Sequence, residues 1–560
     1  MGWRDAAGWI GEIVGPDAAY VRLGVVYGVA ISLLSLATPI SVQLLINSVA
    51  NTALPAPLWT LAGVLFLLLL LLMVAGLSAA RVWIMALFER RFFARVVAEI
   101  TVRAVHAQNP FFADQNRGDL FNRYFDLVVV QKAVPSLVIG AFTIILQSAV
   151  GLAVTSFYHP FFLAFNAILL VTVSAIWALW SRPSIRSAVA LSHAKHDAAR
   201  WLESVGGSNG FYKSSRHLDF AMDRSEAVTA AYVTRHRRYF RYSFAQTLSF
   251  LLLYAFASAA LLALGGNLII RGELSIGQLV AAELILSGVF YGVSQLGWYL
   301  DTFYDLVASS EELALLFGIP QEREPAHGGE APRDGAISLR GVEVEGARFD
   351  FEIGAGERLV TVAEGGAERL LALVLKRHLV PERGLVAVGG ADLAAFDMYL
   401  LRSAVMVLDR PTIVDVTIRE YLGLAAADRP PGAMLDALEA VGLRDRVARL
   451  PGGLDTPLAA SGYPLSIGEL MALKLANALL VRPRVLMLSQ LYDLLPPDRL
   501  TAVLDRLREV RVTVLLCTGR PEDIELDGWL HLGRDSQRRF ATRAELAAHV
   551  AGEAAHAVPA

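Results

Sequence analysis

The chain has 560 residues, 55% hydrophobic and 18% charged, with a formal net charge of -3. Soluble domains carry about 25% charged residues, so this composition points to burial in a bilayer. The near-neutral charge gives no basis for a nucleic-acid partner. A single cysteine, Cys517, excludes an intrachain disulfide and any cysteine-rich metal site.

Met1 to Tyr20 is mixed in polarity, with no compact apolar core ending at a small-residue cleavage site, so no secretory signal is expected. A spanning helix needs roughly 20 mainly apolar residues to cross a ~30 Å hydrocarbon layer. Six stretches qualify: Val21 to Ala50, Leu58 to Leu87, Val134 to Tyr158, Phe161 to Trp180, Phe244 to Ile270 and Ile276 to Leu300. Leu67 to Leu72 is the strongest membrane signal. Short turns (Asn51 to Pro57, His159-Pro160, Arg271 to Ser275) join the pairs, and two long polar segments, Phe88 to Ala133 and Ser181 to Ser243, separate the hairpins. Those long segments hold Arg90-Arg91, Arg103, Arg117, Arg123, Lys132 and the Arg235 to Arg241 cluster, whereas the short turns hold almost no Lys or Arg. Positive loops stay inside, so both termini are expected in the cytoplasm and the long segments read as helices running past the bilayer.

Within the sixth stretch Glu283 is an intramembrane carboxylate, read either as lining a pathway or as a protonated or interface-reaching side chain. Gly76, Gly140 and Gly151 read as helix-packing contacts, and Trp177, Trp180 and Trp298 as interface anchors. Gln321 to Asp334, rich in Glu, Gly and Pro, reads as a linker. Beyond it, β-like runs at Arg358 to Val362, Ala404 to Leu408, Val485 to Leu488 and Thr513 to Cys517 alternate with helical stretches, the pattern of an α/β domain. The expected architecture is an all-α six-helix membrane domain over residues 1–318, a linker over 319–335 and an α/β domain over 336–560.

Several strings carry a resemblance. Leu264-Gly-Gly-Asn-Leu-Ile-Ile-Arg-Gly-Glu-Leu-Ser-Ile-Gly-Gln278 leads into the sixth helix, and Asn109-Pro-Phe-Phe112 precedes Gly118-Asp-Leu120. Leu450-Pro-Gly-Gly-Leu-Asp-Thr-Pro457 and Leu465-Ser-Ile-Gly-Glu469 precede an Ala- and Leu-rich helix, and Arg482-Pro-Arg-Val-Leu-Met-Leu488 follows. In this order they resemble the half-exporters of the ATP-binding-cassette superfamily, most of all the toxin and bacteriocin secretion branch. Asn109 to Leu120 is similar to that branch's first intracellular coupling segment, and Glu203 to Lys213 matches the second in position. The resemblance leaves no room for the peptidase domain some members carry at their N-terminus. It implies an integral protein of a bacterial inner membrane, a dimeric assembly and MgATP as the nucleotide.

The residues depart from that chemistry. A P-loop needs glycines whose N–H groups cradle phosphates, a Lys for the β- and γ-phosphates, and Ser or Thr on Mg²⁺. Counting back from Pro381 and Gly384, the matching segment is Val362 to Arg369. Gly365 keeps a P-loop glycine, Ala367 replaces another, Glu368 stands for the Lys and Arg369 for the hydroxyl. A carboxylate ~4 Å from a phosphate oxygen repels it by roughly 4 kcal/mol at an effective dielectric near 20, and a similar attraction is lost with the Lys. The family's Asp-Glu pair becomes Ser489-Gln490, its water-sensing glutamine Asp409, its dimer-loop aspartate Pro496 and its switch histidine Gly519. No aromatic for adenine is evident near Val344 to Phe349. The expectation is a chain with no catalytic residue, no metal ligand and no nucleotide in its own site.

Ser466 and Gly468 keep the contact positions of the family's signature motif, with Ile467 and Glu469 as departures. The resemblance implies that they close over MgATP bound to a partner half-exporter. The plain alternative is a capping box, Ser-x-x-Glu, starting a helix, as Ser275-Ile-Gly-Gln278 does in the membrane domain. Three functions follow: a silent half of a heterodimeric exporter with a peptide or protein cargo, a homodimeric membrane scaffold or regulator, and an active exporter with displaced site residues.

Overall fold

Long helices dominate the described part of the first 320 residues, as a bilayer requires of a spanning backbone. The computed structural model describes residues 3–35, 59–60, 62–67, 77–108, 118–322, 331–425, 430 and 432–556. The residues group into two compact units, Met1–Gln321 and Glu322–Ala560.

The first unit contains α1 (Trp3–Val14), α2 (Ala18–Ser35), α3 (Leu77–Val105), α4 (Phe125–Ser136), α5 (Phe142–Ser156), α6 (Pro160–Gly207), α7 (Ser215–Ile270) and α8 (Ile276–Phe317). A π-turn, Leu137–Ala141, follows Pro135 and joins α4 to α5. Among the described residues five helical runs are long and apolar enough to cross a membrane: Asp5–Leu34, Leu120–Ser156, Pro160–Gly207, Ser215–Ile270 and Ile276–Phe317. The expected stretches Val21 to Ala50 and Leu58 to Leu87 fall partly outside the described residues, and Gly76, the turn Asn51 to Pro57, Asn109 to Phe112 and Arg117 fall wholly outside them. In the second long polar segment, Ser181 to Ser243, the helices run on past the apolar stretches: α6 has 48 residues and α7 has 56, roughly 70–85 Å at 1.5 Å per residue, far more than a bilayer needs. The first, Phe88 to Ala133, lies partly outside the described residues.

Local chemistry fixes the helix ends. His159 accepts the Phe161 N–H through Nδ1 at 3.1 Å and Pro160 occupies the first turn of α6, where a missing N–H costs nothing. Ser275 and Gln278 form a reciprocal box at the start of α8, at 3.1 and 3.0 Å. In the α5–α6 hairpin the buried Asn166 donates to Leu152 O, Thr155 Oγ1 and Ser156 Oγ at 3.0, 2.9 and 2.9 Å. Gly140 and Gly151 are packing positions. A methyl at Gly140 would collide with the Tyr299 ring, and one at Gly151 would stand 2.9 Å from Ile285 Cγ2. Glu283 accepts from Ser287 Oγ at 2.7 Å, one turn along α8.

The second unit begins with β1 (Ile337–Val344), β2 (Ala347–Ile353), β3 (Arg358–Ala363), α9 (Ala367–Leu375), β4 (Arg383–Val388) and β5 (Ala391–Asp392). It continues through α10 (Met398–Ala404), β6 (Val405–Leu408), α11 (Ile418–Gly423), α12 (Ala433–Ala440), α13 (Arg444–Ala448) and α14 (Ile467–Val481). It ends with β7 (Val485–Leu488), α15 (Pro497–Glu509), β8 (Thr513–Cys517), β9 (Gly528–Leu532), β10 (Gln537–Phe540) and α16 (Arg543–His556). One sheet has the order β10-β9-β3-β8-β7-β6, parallel from β9 to β6; the other, β2-β1-β4-β5, is antiparallel. β7 and β8 are buried at every position, as strands covered on both faces must be. Arg358 anchors the start of β3, bonding Asp527 Oδ2 at 3.2 Å and Asp505 Oδ1 at 2.7 Å.

Candidate functional site

In a doubly wound sheet, ligands bind beyond the carboxyl ends of the parallel strands. Here the ends of β3, β8, β7 and β6 are neighbours and carry the turn 364–366, Thr518-Gly519, Ser489-Gln490 and Asp409.

The turn after β3 is bonded to the protein through two of its amides. Val362 and Ala363 remain in β3, opposite His531 and Leu532 of β9, so the first two positions of the expected loop are strand. Beyond them Glu364 N donates to Leu532 O at 3.0 Å and Ala367 N to Glu364 O at 3.1 Å. These two amides are thus turned onto carbonyls. The remaining turn pivots on Gly366 at φ +90, a conformation glycine adopts without strain. Gly365 and Arg369 are exposed and Ala367 is buried. The Glu364 carboxylate accepts the Arg534 N–H at 3.1 Å, so a second acid flanks the turn.

Glu368 is half-buried and faces other acids. Burial, then Asp409 and Asp493, push its carboxyl up to about 7, against a hydrogen bond from the Cys517 thiol. The repulsion expected from its sequence position is therefore partly relieved by a proton at neutral pH. Burial likewise raises the Cys517 thiol well above its usual range. Two lysines lie near Asp409, and both are lowered chiefly by burial, Lys376 and Lys474. Lys474 Nζ donates to Arg410 O at 2.6 Å, which ties it to backbone.

After β7, Ser489 accepts the Leu491 N–H at 3.3 Å and caps a short 3-10 turn. The Gln490 side chain lies across Gly519: a Cβ at Gly519 would stand 2.7 Å from Gln490 Nε2. The amide thus occupies space that a side chain at Gly519 would need. Asp493 fastens the loop after β8, accepting from Thr518 Oγ1 at 2.6 Å and from Gly519 N at 2.9 Å; Arg520 donates to its carbonyl. Pro496 is the exposed residue before α15. Beside this loop, a cavity of about 1120 Å³ is lined by Val362, Gln490, Thr518, Trp529, Arg543 and their neighbours.

Sequence reasoning missed Asp493 and Glu364. The signal for Asp493 was its place as the one charge in Leu486 to Pro497; for Glu364 it was an acid in a turn expected to meet phosphate.

At the start of α14 the capping box is complete. Ser466 Oγ accepts the Glu469 N–H at 3.3 Å, and Glu469 Oε2 accepts the Ser466 N–H at 2.9 Å. Arg446 Nε donates to Glu469 Oε1 at 2.9 Å. Burial opposes ionisation of Glu469, but the bonds from Ser466 and Arg446 outweigh it and lower its pKa. A carboxylate therefore sits where the helix N-terminus would otherwise attract an anion. Gly468 approaches Leu494, with open space for little more than a methyl on that side.

No family model matches the chain. It is 28% identical over 237 residues to the leukotoxin export ATP-binding protein of Aggregatibacter actinomycetemcomitans, covering 40% of this chain and 34% of that one. It is 23% identical over 461 residues to the leukotoxin translocation ATP-binding protein of Mannheimia haemolytica, covering 79% of this chain and 63% of that one. The chain thus spans less than two thirds of the length of both curated relatives. A solved structure described as a bacterial Atm1-family ABC exporter with ATP bound superposes with TM-score 0.76 at 18% identity, over 98% of this chain and 99% of that one. The chain has the fold of an ATP-binding-cassette exporter, and its sequence is similar to leukotoxin export proteins.

Proposed function

We propose that the chain is a non-hydrolytic half of an ATP-binding-cassette exporter. It supplies half of a translocation pathway, with Glu283 as a candidate lining group, and presents Ser466 and Gly468 to MgATP held by a catalytic partner. Similarity to leukotoxin exporters supports a peptide or protein cargo and a bacterial membrane. The observation that carries the reading is the turn after β3. The amides of Glu364 and Ala367 bond the carbonyls of Leu532 and Glu364, and Glu368 stands where the resemblance puts the phosphate-gripping cation. Neither Ser489 nor Gln490 supplies a carboxylate for Mg²⁺ or for water activation. Affinity purification of the untagged-partner complex from native membranes tests it: an intact half-exporter recovered in equal amount supports the reading, and recovery of this chain alone contradicts it.

One observation favours a second reading, a homodimeric scaffold or regulator. Ser466 and Glu469 satisfy each other, and Arg446 holds Glu469 charged, so the signature segment is complete without a nucleotide. Ser466→Ala separates the two. It abolishes transport if the hydroxyl serves a partner's ATP, and leaves cellular function intact if it only caps a helix.

A further inference from the structure

Outside the nucleotide region, one cluster in the first unit joins histidines to carboxylates across two long helices. His193 and His196 lie three apart on α6, facing Glu311 and Glu312 on α8. His193 Nε2 is 3.0 Å from Glu311 Oε2 and 3.7 Å from Glu312 Oε1. His196 Nε2 is 4.0 Å from that same Glu312 oxygen and 2.5 Å from Asp126 Oδ2 on α4. Asp126 is further held by Lys195 at 2.7 Å and Ser309 at 3.1 Å, and Glu312 Oε2 by Arg123 at 2.7 Å.

The decisive atom is Glu312 Oε1. Its side chain is fully buried, and this oxygen has no hydrogen-bond partner although two imidazoles face it. An unmet buried carboxylate oxygen is costly. A proton on His193 Nε2 does not meet it, because that proton serves Glu311 at 3.0 Å. One cation between the groups serves all of them. Zinc bound at 2.0–2.1 Å in tetrahedral geometry sets neighbouring ligand atoms roughly 3.3 Å apart, close to the 3.0 and 3.7 Å found around His193. The atoms of His193, Glu311 and Glu312 all lie within 4.8 Å of one another.

We propose that His193, Glu311 and Glu312 form a binding site for a zinc-class divalent cation that ties α6 to α8. Imidazole with carboxylates selects a first-row metal such as Zn²⁺ over Mg²⁺ or Ca²⁺, which take all-oxygen shells. Three protein ligands leave a fourth position for water. His196 stands beside the site rather than in it, because its Nε2 is already bonded to Asp126. Entry is open, since the His193 side chain is 46% exposed. His193 lies roughly 50 Å along α6 from its first residue, beyond a ~30 Å hydrocarbon layer that begins there, so the site is aqueous. The proposal is independent of whether the chain binds ATP.

The test uses the full chain in detergent, without a histidine tag, stripped with EDTA and desalted. Co²⁺ is titrated while visible d–d absorption is followed, and Zn²⁺ is then added as competitor. One Co²⁺ per chain, displaced by Zn²⁺, with affinity reduced at least tenfold in both His193→Asn and Glu311→Gln, is the expected result. Zn²⁺ also raises the Tm of the wild type and not of the variants, whose metal-free Tm stays within a few degrees of wild type. Absence of d–d absorption, or equal affinity in all three proteins, overturns the proposal; the latter points to scattered surface histidines. A wild-type Tm that responds to acid but not to Zn²⁺ also overturns it, in favour of a protonated His193–Glu311 pair.

Discussion

Glu368 is the residue at which charge, burial and position meet. Its carboxyl sits at about 7, against an ordinary 4.5, through burial and then through Asp409 and Asp493. The folded value is above the unfolded one, so its contribution to stability is full below about 4.5 and is lost as pH rises through about 7. Glu368→Gln removes that dependence. The variant should match the wild type near pH 4.5 and exceed it at pH 8 by about 1–2 kcal/mol, after discounting for solvent screening of a partly exposed group. Denaturation midpoints across pH 4.5–8.5 check this; parallel wild-type and variant curves contradict it. Glu368→Lys restores the expected cation but not the amides bonded to Leu532 and Glu364, so it should leave binding of a fluorescent ATP analogue at the wild-type level. At the other candidate contact, Ser466→Ala removes a helix cap and should cost about 0.5–2 kcal/mol in stability, whichever function the segment serves. The identities of Glu368, Ser489, Gln490 and Gly519 were legible in the sequence. Their environment was not, because Asp409, Asp493 and Cys517 are far apart along the chain and converge only at the ends of parallel strands.

Among the elements, β7 and β8 were legible to the residue, since short apolar runs bounded by turn residues admit little else. The end of β3 was read one residue short. The expected run stopped at Val362, and only the pairing with the neighbouring β9 carries the strand on to Ala363. In the membrane unit, apolar length announces helices but not which faces touch. That information lies in small residues such as Gly297, where an added Cβ would stand 3.0 Å from the Thr247 Cα. Backbone cannot yield as a side-chain tip does, so Gly297→Ala should push α7 and α8 apart and cost about 1–3 kcal/mol. Gly288, on α8 with nothing within 4 Å of such a Cβ, is the control. Thermal unfolding in detergent should show a lowered Tm for Gly297→Ala and an unchanged one for Gly288→Ala. Equal Tm values for both would mean that the α7–α8 contact is looser than these distances state.

For the whole molecule, composition and order of elements were enough to expect an apolar helical region followed by an α/β domain, because bilayer burial and strand–helix alternation leave strong one-dimensional traces. The His193–Glu311–Glu312 cluster left none, since α6 and α8 meet only in three dimensions. The functional account also belongs to this scale: the fold is that of an exporter, and the proposal is that this chain does not grip nucleotide in its own site. Equilibrium binding of MgATP to the purified full chain, by calorimetry at pH 7.5, tests this most directly. The account predicts no saturable heat up to millimolar nucleotide. Stoichiometric binding with a micromolar Kd, abolished by substitutions in Glu364 to Arg369, would contradict it.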